Sequence, residues 1–376
     1  MFPASNTPLK LDPPEDPPSD PLVFELITAL FARSATYREA ALKALPLKRD
    51  RQQHTIDYLI KMLDYHDEWM VLMSARALKG FGASALSQLI LALDHSSQQV
   101  RERAVWALWD VNDPRALDHL ISVLRHDTAA KVRRLAACGL GLSQSIEAIN
   151  PLIKALDDED ERVRWDAAVA LAKIGSPARK PLIIAALFGC DRVRLGAVNA
   201  LAWIRDPRAI RQLKTLVLND SDAEVRARAA FALGWIGSLK GVEPLKRALR
   251  DRDAEVRLQA VVALGWLRDP TSVAYLFPLL DDSIEWVPYA VVDALSSIGT
   301  SEALEALKVA CSHLNEQVAE RARSTLMRHG LSAPARKEHT FSSGKNPIFW
   351  FESASALRQR RCQWVINSGQ TPQVSP

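Results

Sequence analysis

Ten times along the 376-residue chain, at intervals of 30 to 33 residues, a residue opens the same helical pattern: Tyr37, Met70, Val100, Val132, Val163, Val193, Val225, Val256, Val287 and Val318. In seven of these the next residue is arginine (Arg38, Arg101, Arg133, Arg164, Arg194, Arg226, Arg257). Around Val225, apolar side chains follow at offsets 4, 8 and 11 (Ala229, Leu233, Ile236), which a 100° step gathers on one face of a helix. A second apolar pattern, Leu245 and Leu249, comes after a break at Gly237. A period in this range means stacked two-helix units, each burying its apolar face on its neighbours. The expected fold is therefore all-α: an α-solenoid of about ten two-helix repeats forming a curved superhelix, one body in place of the two or three globules that length alone suggests.

Three segments follow from this pattern. Residues 1–21 hold seven prolines among acidic residues, too few apolar groups for a core, and read as disordered. Residues 22–329 carry the repeat. Residues 330–376 read as an irregular basic and aromatic tail with one apolar cluster, Ile348 to Phe351. The formal net charge of +4 lies entirely in the segment from Leu331 onward, so the repeat body is neutral. A nucleic-acid binder normally carries a basic stripe on its folded part, which argues against that class. No apolar run approaches the ~20 residues that a bilayer requires. The four cysteines show no C-x-x-C pair and the N-terminus no basic-then-apolar signal, so a cytoplasmic protein with reduced thiols is expected.

The helix starts are marked. Asp160, Asp222 and Asp253, three residues before their valines, are placed as N-caps. Asp113–Pro114, Asp206–Pro207, Asp269–Pro270 and Ser176–Pro177 each set a capping side chain before a proline at the first helical position. The string D-x-D-x-x-V-R-x-x-A-x-x-A-L-G, at Asp220 to Gly234 and again at Asp251 to Gly265, resembles the HEAT-like repeats of the phycobilisome-lyase type. The resemblance covers residues 22–329.

It implies that Arg101, Arg133, Arg164, Arg194, Arg226 and Arg257 bond from repeat to repeat with aspartates five residues before the valines: Asp127, Asp158, Asp220, Asp251 and Asp282. Arginine suits that role because its planar fork serves two acceptors at once. The ladder of arginines stops where Pro288 and then Ala319 replace them. The resemblance also implies that the valine-arginine helices line the concave surface. Proteins of this type attach or remove bilin on phycobiliprotein cysteines, often with a second HEAT-like subunit, so a transient bilin and a phycobiliprotein client are implied alternatives.

If offsets 0, 4, 5, 7, 8 and 11 are buried, offsets 2, 6, 9 and 10 point away from the core and should be polar. They often are not. Offset 2 gives Trp165, Leu195, Leu258 and Tyr289; offset 6 gives Trp106, Val169, Phe231 and Val262; offset 9 gives Trp109. Offset 10 gives Trp203, Trp235 and Trp266 in three successive repeats. Contiguous exposed apolar surface is uncommon without a partner. The expectation is a partner-binding groove made of Trp106, Trp109, Trp165, Leu195, Trp203, Phe231, Trp235, Leu258, Trp266 and Tyr289, with lateral packing between repeats as the competing reading of the offset-10 tryptophans.

Catalytic signals are weak. None of the eight histidines precedes a glutamate, whereas HEAT-type di-iron hydroxylases use His-Glu dipeptides, so no metal is expected. No phosphate-binding glycine loop, nucleophile elbow or zinc spacing occurs. Asp166 and Asp293 lie near the outward face with no second group placed beside them, and Cys138 at offset 6 is either an accessible thiol or a small packing residue. The sequence therefore favours a non-catalytic scaffold or assembly factor holding a client protein on an apolar, Trp-rich face, without a cofactor. The alternative is a bilin lyase or phycobilisome-processing subunit.

Overall fold

In a computed structural model of the protein, residues 21–332 are described, apart from 32–34, 48–51, 66 and 112. The proline-rich N-terminal segment up to residue 20 and the tail cluster Ile348 to Phe351 lie outside the described residues. Among the described residues the regular elements are helical: twenty α-helices, from α1 (Pro21–Phe31) to α20 (Glu316–Arg328), with short 3-10 turns between them. None is long and apolar enough to cross a membrane.

The even-numbered helices carry the valine-arginine pattern. They are α2 (Ala35–Ala44), α4 (Glu68–Phe81), α6 (Gln98–Val111), α8 (Ala130–Ser143), α10 (Glu161–Ile174), α12 (Asp191–Ile204), α14 (Ala223–Ile236), α16 (Ala254–Leu267), α18 (Trp286–Ile298) and α20. The odd-numbered partners include α7 (Leu117–His126), α11 (Arg179–Phe188), α13 (Ile210–Asn219) and α17 (Val273–Leu276). An N-terminal carboxylate explains where many even helices begin. Asp160 accepts the N–H of Arg162 and Val163, and Asp222 and Asp253 do the same for their helices. Asp113 and Asp206, each before a proline, accept an N–H two residues on. Ser176 does not cap: it lies inside the 3-10 turn that Gly175 starts. Asp269 accepts hydroxyl protons from Thr271 and Ser272 at 2.6 and 2.8 Å, with no cap to a backbone N–H. Pro278 follows Phe277, and there α17 gives way to a 3-10 turn after four residues.

The core runs continuously through the stack. Val132, Val163, Val256, Val287 and Val318 at offset 0, and Leu140, Leu171, Leu201 and Leu264 at offset 8, are fully buried. Successive even helices approach backbone to backbone at a glycine that follows the offset-8 leucine. A Cβ on Gly141, Gly234 or Gly265 would stand 2.7, 2.6 or 2.9 Å from the Cα of Ala170, Ala263 or Ala294. Offset 9 is thus a contact with the next repeat's offset 7, and it does not point outward as the helical wheel predicts.

The repeat-to-repeat ladder lies beside these contacts. Arg101, Arg133, Arg194, Arg226 and Arg257 place Nε and Nη2 on Asp127, Asp158, Asp220, Asp251 and Asp282 at 2.7 to 3.0 Å. The Nη1 of each donates to a loop carbonyl of its own repeat. The hydrogen bond to Asp282 raises Arg257, and the reciprocal bond holds Asp282 below the usual carboxylate range. Arg164 is the exception and a correction to the expected ladder. It donates to the carbonyls of Asp158 and Glu159 at 2.8 and 3.0 Å and meets no carboxylate of the next repeat.

Candidate functional site

Because Gly and Ala let the even helices touch, side chains at offsets 2, 6 and 10 of adjoining repeats come within ring contact. Trp165 and Trp203 meet edge to face at 4.9 Å between centroids. Phe231 lies 5.9 Å from Trp235 in the same helix and 5.3 Å from Trp266 in the next, and Trp235 and Trp266 are 5.8 Å apart. These are the offset and edge-on arrangements that the ring quadrupole favours. Two guanidinium groups flank the second cluster: Arg205 lies 5.4 Å from the Trp235 ring and Arg228 5.7 Å from that of Phe231. Farther along, Trp286 meets Tyr289 at 6.1 Å, and Arg321 lies 5.9 Å from the Tyr289 ring.

The aromatic set is therefore both packed laterally and open to solvent. Trp165 is 36% exposed, while Trp106, Leu195, Trp203, Phe231, Trp235, Leu258, Trp266 and Tyr289 are half-buried. Two expected outward residues are not on this face. Val169 is buried. Trp109, at offset 9, is wedged against the next repeat: a Cβ on Gly139 would stand 2.1 Å from its Nε1, and that N–H is buried without a hydrogen-bond partner among the described residues. Where three other junctions set Gly against Ala, this one sets Trp against Gly.

Charged groups that the sequence left isolated are paired here. Asp166 is buried, and Arg134 of the preceding repeat donates to it at 2.8 Å. Burial pushes the Asp166 carboxyl above its ordinary range, with Arg134 opposing. Cys138 lies close enough to feel Asp166, and burial, reinforced by that charge, pushes its thiol up to about 11. A thiol so protonated is a packing group, not a nucleophile at neutral pH. Asp293 accepts from Arg321 at 2.5 Å. The signal for both pairs was an acid at offset 3 or 6 facing an arginine at offset 2 or 3 of an adjacent helix. It becomes visible only once the helices are placed side by side.

A family model described as HEAT repeats matches residues 72–141, 117–188, 185–234, 211–287 and 242–327. The chain belongs to the HEAT-repeat family. Its relatives refine this to the phycobilisome-lyase type of HEAT-like protein. Phycocyanobilin lyase subunit beta of Nostoc sp. (strain PCC 7120) is 30% identical over 193 residues, 51% of this chain and 88% of that protein. The phycobilisome maturation protein of Synechococcus elongatus is 29% identical over 41% of this chain and 80% of its own length. Deoxyhypusine hydroxylase of Drosophila melanogaster is 27% identical over 55% of this chain and 78% of its length. Among the described residues, no three or more His, Cys, Asp or Glu side chains gather so as to hold a metal ion. The solved structure of Kap95p with RanGDP, 14% identical, superposes with a TM-score of 0.56 over 81% of this chain and 48% of its own, a likeness of HEAT fold alone.

Proposed function

We propose that this HEAT-repeat protein holds a phycobiliprotein client and its bilin against the aromatic face between Trp165 and Trp266, as a bilin lyase subunit or phycobilisome maturation factor. The observation that carries this reading is the run of touching, half-open rings flanked by Arg205 and Arg228. An open-chain tetrapyrrole is flat, conjugated and anionic. Aromatic edges and faces bind the first two properties, and guanidinium groups the third. The relatives named phycocyanobilin lyase subunit beta and phycobilisome maturation protein support the same reading. In this reading the bilin-accepting sulfur belongs to the client, and Cys138, whose thiol burial pushes up, is a packing group.

The test is a visible absorption titration of free phycocyanobilin with the purified protein, followed by tryptophan fluorescence. A saturable spectral change with quenching of tryptophan emission is expected, lost in Trp165→Ala/Phe231→Ala with helicity unchanged. An unaltered bilin spectrum together with no capture of apo-phycocyanin subunits would remove both halves of the reading.

A further inference from the structure

Three departures from the commonest repeat pattern coincide at the junction of α10 and α12. In the five complete rungs the arginine grips an aspartate of the next repeat with Nε and Nη2, as Arg226 grips Asp251 at 2.8 and 2.9 Å. Arg164 keeps its Nη1 bonds to the loop carbonyls, which hold the guanidinium in the same seat. Its Nε and Nη2 meet no acceptor among the described residues. The α11–α12 loop reads Gly189-Cys190, one residue shorter than the Asp220-Ser221-Asp222 that joins α13 to α14. Gly189 admits no aspartate, since a Cβ there would stand 2.6 Å from Val193 Cγ1.

The same loop leaves the start of α12 uncapped. At α10, α14 and α16 the ladder aspartate accepts a backbone N–H two residues on, as Asp220 does from Asp222 at 2.9 Å, and a second aspartate caps the helix, whereas α8 and α18, like α12, start without a side-chain cap. Cys190 occupies the cap of α12 without accepting any N–H, and its Sγ donates to Asp157 at 3.3 Å. The Asp191 carboxylate is taken by Arg194 at 2.9 Å. Finally, α11 exposes Ile184 and Phe188, 61% and 81% accessible. The equivalent positions are Ser122 and His126 on α7, and Thr215 and Asn219 on α13.

We propose that this junction is a docking site for an acidic side chain of a partner protein, with the carboxylate on Arg164 and an adjoining apolar side chain against Ile184 and Phe188. The ligand class is read from the molecule itself: five sibling arginines in the same seat each hold a carboxylate bidentately. The uncapped first turn of the 14-residue α12 adds donors and a favourable dipole. Asp157, close to Cys190, disfavours a multiply charged anion such as phosphate and leaves the singly charged carboxylate as the fit. The exposed apolar pair supplies the contact that a small anion could not use. This site owes nothing to the aromatic face, so it stands or falls apart from the proposed function.

The experiment uses the full chain labelled with 15N-arginine. The Arg164 Nε–H resonance is assigned by its loss in Arg164→Lys, which keeps the charge and removes the fork. The probe is N-acetyl-Phe-Glu-amide, with N-acetyl-Phe-Gln-amide and sodium acetate as controls. The expected result is a saturable shift of the Arg164 resonance with the Glu probe alone. Exchanging residues 189–192 for Asp-Ser-Asp-Ala-Glu, the sequence of 220–224, keeps Phe188, supplies an internal carboxylate and should abolish that shift. No saturable shift, or an equal one with the Gln probe, overturns the site. Acetate saturating at the same concentration as the Glu probe overturns the acidic-side-chain assignment and makes it a small-anion site.

Discussion

Gly139→Ala tests the tightest junction between repeats. The added methyl carbon would sit 2.1 Å from Trp109 Nε1 and 2.3 Å from its Cδ1, well inside the ~3.5–4.0 Å of a normal carbon contact. In an isolated helix the change should stabilise by about 1 kcal/mol, since glycine is the poorer helix former. Here the indole must leave its seat, and overpacking of this kind costs about 1–3 kcal/mol. The predicted net effect is a loss of up to about 2 kcal/mol. In a Trp109→Ala background the obstruction is gone, and the same Gly139→Ala change should stabilise by about 1 kcal/mol. Urea unfolding of the four proteins of this cycle, followed by circular dichroism at 222 nm, reads the sign directly. Equal effects of Gly139→Ala in the two backgrounds would refute the wedge. Trp109→Ala alone should cost no more than the lower end of the ~3–5 kcal/mol typical of a buried large aromatic, because the ring is only half-buried and its N–H is already unpartnered.

Removing one side of a buried rung, as in Arg226→Ala, leaves Asp251 unpaired and should cost about 3–5 kcal/mol. Hydrogen exchange should show the loss concentrated in α14 and α16, and uniform exchange across the stack would contradict nearest-neighbour coupling. Asp282 is held below its unfolded value by Arg257, so its contribution is present above the ordinary carboxylate pKa and is lost as pH falls through the lower folded value. Asp166 has the opposite sign: burial raises it, and the fold loses stability as pH rises from its unfolded to its folded value. Asp282→Asn should therefore weaken the acid-side fall of an unfolding curve, whereas Asp166→Asn should weaken the rise in instability just above it. Gln144 ends α8 in the left-handed region at φ 53°, a conformation costing an L residue about 1 kcal/mol, so Gln144→Gly should raise the urea midpoint. A lowered midpoint would locate a contact of the Gln144 side chain worth more than that strain.

Much of the molecule was legible in its sequence because the repeat is a statement about one helix at a time. A valine, an alanine four residues on and a leucine eight on fix which stripe is buried. An aspartate before the first turn fixes where the helix begins. The ten opening residues placed ten even helices, and the offset-2, offset-6 and offset-10 aromatics lie half-open on one face. The angular wheel alone cannot say how near the next helix comes. Offset 9 therefore reads as outward, although in the fold Gly141, Gly234 and Gly265 touch the neighbouring backbone and Trp109 fills a space that Gly139 leaves.

The sequence by itself determined periodicity, helix boundaries, the buried stripe and the stock of arginines and aspartates available for rungs. These are set by local caps and by a 100° step along a single chain. Only the tertiary structure decided which side chains meet across repeats: Arg134 on Asp166, Phe231 on Trp266, and Arg164 on no carboxylate among the described residues. Those outcomes depend on a loop one residue shorter and on interhelical distances of a few ångströms. They arise between units some 30 residues apart, where no single helix carries the information.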